Sequence, residues 1–331
     1  MIRRLIIHIG RHKSGTSAIQ LYLAEHRAAY ASDGVIIPEF GCEEGTDNDP
    51  SDRVAHHRVA IAFSSDSESG HAEQEKWRTA LHAAAERGHT VVLSSEAFQN
   101  HVDLSALRRL CRGFYVEIVC YFREYLDYAL SAYAQEIKKN GLSAGFFEFE
   151  RTFSPMLPPF IRRWEEFANI CHWRLYDQDR LIGGEVIGDF LATAGLPDFG
   201  GSRYRATNPR IGGSLLGFKL LANAAGLHSR ALGRALEPLT AKKPNFRQPW
   251  RLLPETQAFL RSRRDYNAVL ASRFGNFELC DTSSGALPFS SPTLTNDFES
   301  ILMELDRFPE LRSHPLFNAF LERAPSLPAN L

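Results

Sequence analysis

Residues 5–24, LIIHIGRHKSGTSAIQLYLA, constrain the fold more than any other stretch of the chain. A short run rich in Leu and Ile ends at Gly10, a loop of Arg, His, Lys, Ser and Gly follows, and apolar residues then return at helical spacing. The change of period reads as strand, tight loop, helix. Where a strand hands over to a helix in this way, free backbone N–H groups and the positive end of the helix dipole converge, so the loop favours an anion such as phosphate or sulfate. Gly10 and Gly15 let the backbone approach closely, Thr16 and Ser17 add hydroxyl donors, and Lys13 adds a point charge.

The same alternation runs on for almost two hundred residues. Strands are predicted over Leu5–Ile9, Thr90–Ser94, Tyr115–Phe122 and His172–Tyr176, with a weaker one over Val35–Ile37. Helices are predicted over Ser17–Tyr30, Asp52–Phe63, Ala72–Arg87, Leu104–Arg112, Glu124–Lys139 and Pro159–Ile170. Such alternation implies an α/β fold, a parallel sheet with helices on both faces, and ligands beyond the carboxyl ends of its strands. After Gly184 the pattern becomes mainly helical, over Val186–Ala194, Ser214–Ala225 and Thr256–Phe274. Pro238, Pro244, Pro249 and Pro254 among Lys242, Lys243, Arg247 and Arg251 read as a basic loop, and Asp281–Thr295 as a linker before one or two short terminal helices. The expected organisation is one domain over 1–280, with a cofactor core to about residue 180 and a helical acceptor-side part over 181–280, followed by the terminal segment 281–331.

Charge and cysteine content narrow the partners. Lys plus Arg number 38 against 39 Asp plus Glu, so no global basic field suits a nucleic acid and any anion site must be local. The five cysteines, Cys42, Cys111, Cys120, Cys171 and Cys280, are scattered without a Cys-x-x-Cys pair, and they read as plain thiols of a reducing, cytoplasmic compartment. The apolar run after Arg3 and Arg4 stops at Gly10, too soon for a signal peptide, and nothing approaches the ~20 apolar residues of a membrane span.

The order H-x-G-x-x-K-S-G-T-S, from His8 to Ser17, departs from the nucleotide-triphosphate P-loop, in which Lys follows the second glycine; here Lys13 precedes Gly15. It resembles the 5′-phosphosulfate loop of sulfotransferases that use 3′-phosphoadenosine 5′-phosphosulfate (PAPS). It is especially similar to the bacterial carbohydrate-type pattern H-I-G-x-H-K-T-G-T-T, with Ser14 and Ser17 replacing threonines. A second match lies in VEIVCYFREYLDYALSAYAQ, where Arg123 follows a strand and Ser131 comes seven intervening residues later. In that family an arginine and a serine at this spacing grip the 3′-phosphate of the cofactor. Arg supplies a planar fork of donors suited to phosphate, and a serine two turns along a helix shares nearly the face of its start. The resemblance covers roughly the first 140 residues by motif. It implies the sulfotransferase version of the P-loop fold, PAPS as co-substrate, and Gly10, His12, Lys13, Ser14, Gly15, Thr16, Ser17, Arg123 and Ser131 as its binding residues.

Sulfuryl transfer needs an in-line oxygen nucleophile, charge stabilisation and help for the leaving phosphate. Lys13 is the candidate for the last task, and no metal is demanded by the mechanism. In cytosolic sulfotransferases the strand before the 3′-phosphate arginine ends in Lys-Thr-His and supplies the base; here TVVLSSEAF ends in Ser94-Ser95-Glu96, which makes Glu96 the candidate base. The rival is the His56-His57 pair in DRVAHHRVAIAF, whose imidazoles suit proton transfer at neutral pH. Arg11 is expected to face solvent, and Arg205, Arg210 and the basic proline loop to lie on the acceptor side. The expected acceptor is a small molecule, glycan or glycolipid; the competing readings are a kinase with a degenerate P-loop and a nucleotide-binding regulatory protein with a dead site.

Overall fold

The computed structural model describes residues 3–11, 14–42, 54–64, 68–99, 102–201, 211–248, 250, 252, 254–262, 265–275, 291–305 and 315. In chain order the elements are β1 (Arg3–Ile9), α1 (Thr16–Glu25), α2 (Arg27–Ser32), β2 (Val35–Ile36), α3 (His57–Ala62), α4 (Glu68–Arg87), β3 (Thr90–Ser95), α5 (Leu104–Leu110), β4 (Phe114–Phe122), α6 (Tyr125–Asn140), α7 (Phe146–Thr152), α8 (Leu157–Phe167), β5 (Ile170–Leu175), α9 (Val186–Ala194), α10 (Gly213–Ala224), α11 (Arg230–Leu236), α12 (Pro254–Ser262), α13 (Asp265–Phe274) and α14 (Ser291–Glu304). Two compact units divide the chain, and neither is continuous: the first comprises residues 1–123 and 156–207, the second 124–155 and 208–331.

The first unit holds the sheet. Its five strands run parallel in the order β2-β3-β1-β4-β5. β1 therefore sits at the centre, its Leu5, Ile6, Ile7 and Ile9 all without exposure, as a strand covered on both faces requires. On one face Ile6, Val92, Val119 and Tyr121 pack with Ile19 and Leu23 of α1, Tyr30 of α2 and Phe190 of α9. On the other, reached by alternate residues such as Leu5 and Ile7, α4 meets β3 and α8 meets β5. The chain leaves β1 toward β2 on one side and later crosses from β3 to β4 on the other. The carboxyl end of β1 thus lies where the strand order reverses, the place at which open α/β sheets bind ligands.

The second unit is helical. α6 packs with α7, α10, α11 and α12, and α14 docks on α10 with the Phe218 and Phe298 rings 5.1 Å apart. Asp297 of α14 accepts from Ser214 Oγ (2.7 Å), Lys243 Nζ (2.6 Å) and Asn245 Nδ2 (2.7 Å), and these partners hold its carboxyl below the usual range against the opposing effect of burial.

All five sequence-predicted strands form, within two residues of the expected ends. The helix expected over 17–30 breaks at His26 into α1 and α2, and Ile170 starts β5 rather than ending a helix. The helix expected over 256–274 is recorded as α12 and α13. The proline loop contains two short 3₁₀ turns, Pro238–Ala241 and Pro244–Arg247, and α14 begins inside the stretch read as a linker. Asp52, Arg205, Arg210, Arg251 and Cys280 lie outside the described residues.

Candidate active site

In the loop after β1, Arg11 and Ser14, the described residues on either side of 12–13, are hydrogen-bonded to each other. Ser14 donates both its N–H (3.2 Å) and its hydroxyl (2.6 Å) to the Arg11 carbonyl. Gly15 then adopts φ +79°, which a side chain disfavours, and a Cβ there would stand 2.8 Å from Val186 Cγ1 and 3.0 Å from Tyr176 Cε2. A Cβ on Gly10 would lie 2.3 Å from Thr16 Oγ1. Gly15 is therefore required by backbone angle and by contact, and Gly10 by contact alone.

α1 starts at Thr16 with Gly15 as its N-cap, and no side chain caps its amides. The starts of α2, α3, α7, α8 and α10 likewise carry no side-chain cap, while four other helices do. Asp103 caps α5, Glu124 caps α6, Glu185 caps α9 and Ser229 caps α11, each accepting from backbone N–H groups. Thr16 Oγ1 adds to the open donors: Thr16 is buried, and its hydroxyl has no hydrogen-bond partner among the described residues. Ser17 is half-buried on the same first turn. An uncapped helix start beside a buried, unused hydroxyl is what an anion of phosphate or sulfate size would complete.

Three histidines grip the carboxyl end of β3. His8 Nδ1 meets Ser94 Oγ at 2.8 Å, with the ring fully buried against Phe190 and its pKa pushed down to about 3 by that burial. Ser94 N–H donates to His56 Nδ1 (3.0 Å), so the other ring nitrogen carries the proton and donates to the Pro38 carbonyl (3.1 Å). Burial lowers the His56 pKa to about 4. Both nitrogens being committed, His56 clamps the strand end to the chain at Pro38 and is no candidate for proton transfer.

His57 differs. Its Nδ1 meets Ser95 Oγ at 2.7 Å, and its Nε2 stands 3.8 Å from Glu96 Oε1. The other carboxylate oxygen of Glu96 accepts from Gln20 Nε2 of α1 at 3.2 Å. The two rival bases of the sequence reading are thus neighbours. Glu96, with about a quarter of its side chain exposed, presents the more open group, and His57 lies behind it. The sequence assigned no role to Gln20 or Ser95 because neither residue type marks a site; the fold brings them to Glu96 and His57.

Arg123 follows the carboxyl end of β4 and lies over the Tyr176 ring, 4.9 Å from its centre, and the same ring touches the place where Gly15 would carry a side chain. Tyr176 therefore touches both Gly15 and Arg123 within the first unit, a role its position at the end of a predicted strand did not reveal. Ser131 is buried on α6, in the second unit. Arg11 departs from expectation: it is 6% exposed, with its guanidinium over Phe122 (5.6 Å) and Phe160 (5.0 Å), because two rings at the sheet end give the cation a face to stack on. His12 and Lys13 lie outside the described residues.

A groove of 1040 Å³ between α4 and α5 lies apart from this chemistry, with Arg78, Arg108, Arg109 and Arg112 on its walls; no residue of the loop, nor Glu96, His57 or Arg123, lines it. Among the described residues no group of three or more His, Cys, Asp or Glu could hold a metal ion, and no helix is long and apolar enough to cross a membrane.

No family model and no curated protein matches the chain. Among solved structures the chain is similar to a sulfotransferase from Alicyclobacillus acidocaldarius, at 15% identity and a TM-score of 0.39, covering 73% of this chain and 96% of that one. Likeness at that level carries no residue role from one protein to the other.

Proposed function

We propose that the chain is a PAPS-dependent sulfotransferase that moves a sulfuryl group to a hydroxyl or amine of a carbohydrate or glycolipid acceptor. The observation that carries the reading is the turn from Gly10 to Ser17. A helix start without a side-chain cap, a buried hydroxyl without a partner among the described residues, and two glycines where a side chain would clash fit the 5′-phosphosulfate, in a motif whose Lys13 precedes Gly15. Bound PAPS supplies an activated sulfuryl group whose leaving portion is adenosine 3′,5′-bisphosphate.

The chain's own residues do the rest. The amides of Thr16 and Ser17 and the Thr16 hydroxyl orient the sulfuryl end, and Lys13 neutralises charge on the leaving phosphate oxygen. Glu96 takes the proton from the acceptor as its oxygen or nitrogen bonds to sulfur and the bond from sulfur to the phosphate oxygen breaks. Gln20 holds the carboxylate from one side, and His57 stands on the other. Arg123 and Ser131 are assigned to the 3′-phosphate on their spacing in the motif, and His12 to the sulfate on its place beside Lys13.

Transfer of label from PAPS to a panel of sugar, glycolipid and phenol acceptors tests the reading. Label on a sugar or glycolipid acceptor, abolished by Glu96→Gln, is the expected result. No transfer to any acceptor, or phosphoryl transfer from ATP instead, would overturn it.

A further inference from the structure

The Ser95 hydroxyl is fully buried and makes two hydrogen-bond contacts among the described residues. It accepts from Ala97 N–H at 3.0 Å, and it meets His57 Nδ1 at 2.7 Å. A buried hydroxyl must donate its own proton, and the imidazole nitrogen is the acceptor within reach. Nδ1 of His57 is then the lone-pair nitrogen, and the ring carries its proton on Nε2, the nitrogen that faces Glu96 Oε1.

From this geometry we infer that Ser95 is a positioning residue, which fixes the tautomer and orientation of His57 so that a neutral ring presents Nε2–H to the Glu96 carboxylate. The inference rests on the reading of Glu96 as base and changes how the two candidates relate: they form one unit with a fixed division of labour. Ala97 N–H holds Ser95 Oγ, Ser95 O–H holds His57 Nδ1, Gln20 Nε2–H holds one oxygen of Glu96 at 3.2 Å, and His57 Nε2–H faces the other at 3.8 Å, beyond hydrogen-bond reach. The proton removed from the acceptor rests on Glu96 and goes no further, because the far nitrogen of His57 is occupied by the serine. The 3.8 Å separation of His57 from Glu96 leaves a short closure to be made when an acceptor arrives, as happens in catalytic hydrogen bonds that tighten on substrate binding.

Nitrogen-15 NMR of the full chain reads the tautomer without any need for turnover, with the His57 signals identified by their loss in His57→Gln. At neutral pH the wild type is expected to show Nδ1 unprotonated and Nε2 protonated. In Ser95→Ala the Nδ1 signal should lose this fixed unprotonated character, while Ser95→Thr, which keeps the oxygen, should retain it. Under turnover Ser95→Ala should lower kcat by about 10²-fold, with KM for PAPS nearly unchanged and the rate restored by Thr. A wild-type ring protonated on Nδ1, or an unchanged tautomer in Ser95→Ala, would overturn the inference whatever the activity. Should Ser95→Ala fail to fold, the wild type and Ser95→Thr spectra still decide. The expected spectra without sulfuryl transfer by the wild type would leave the positioning role standing and sink the sulfotransferase reading instead.

Discussion

Replacing Thr16 by Val separates the cost of the anion site to the empty protein from its value to a ligand. The substitution keeps a β-branched side chain over Gly10 and removes only the hydroxyl, which is buried and without a partner among the described residues. A polar group buried without a partner costs about 1–3 kcal/mol, so its removal should stabilise the unliganded chain. Imperfect packing of the new methyl takes back part of that gain, leaving roughly 1 kcal/mol, equivalent to a rise of roughly 1–2 °C in Tm for a chain of this length. The same hydroxyl is expected to donate to the bound anion, and a hydrogen bond to a charged group is worth about 1.5–3 kcal/mol. Affinity for adenosine 3′,5′-bisphosphate should therefore fall by roughly 10- to 100-fold. Urea denaturation gives the first quantity and isothermal titration calorimetry the second. The signs must be opposite: a variant less stable than wild type that binds the nucleotide as well as before would refute the account of Thr16.

Further consequences attach to the surrounding residues. Glu96→Gln should lower turnover at saturating PAPS by about 10²- to 10⁴-fold with adenosine 3′,5′-bisphosphate affinity almost unchanged; near-normal turnover would remove Glu96 as base. Gly15→Ala forces a side chain into left-handed backbone 2.8 Å from Val186, and should cost more than the about 1–2 kcal/mol of the backbone alone, read as a shift in urea midpoint. His8 and His56 are neutral in the folded chain down to about pH 3 and about pH 4, whereas the unfolded chain binds protons on both below about pH 6.5. Their contribution to stability is complete above about pH 6.5 and is lost as pH falls, with a slope approaching about 2.7 kcal/mol per pH unit between about pH 4 and pH 6. A flat urea midpoint across that range, in wild type as in His56→Gln, would contradict the buried neutral rings.

Much of this was legible in the sequence, for a definite reason. Central parallel strands must be apolar on both faces, so LIIHI and VEIVCYF announce β1 and β4 without help from tertiary structure, and a glycine-flanked loop ahead of a helix announces an open set of amides. Helix ends were harder. The break at His26 and the start of β5 at Ile170 depend on packing and on strand pairing, and local propensity near them is indifferent. Side-chain partnerships were hardest, since they join residues far apart in the chain. His8, His56 and His57 look alike as residues, yet burial keeps the first two neutral while hydrogen bonds tie them to Ser94, and His57 is placed behind Glu96 through Ser95. Arg11 was misread because charge suggests solvent, while Phe122 and Phe160 supply a stacking face that sequence spacing does not disclose.

The central claim, that the chain is built for the adenosine 3′,5′-bisphosphate part of PAPS, is tested most directly by comparing the thermal shift it gives with the shifts from AMP and ATP at equal concentration. Ligand binding to the folded state raises stability in proportion to the logarithm of concentration over Kd, so a tenfold preference appears as about 1.4 kcal/mol at concentrations well above both dissociation constants. The account predicts a clearly larger shift for the 3′,5′-bisphosphate, diminished in Arg123→Met. Equal shifts for the bisphosphate and AMP, or a larger one for ATP, would contradict it.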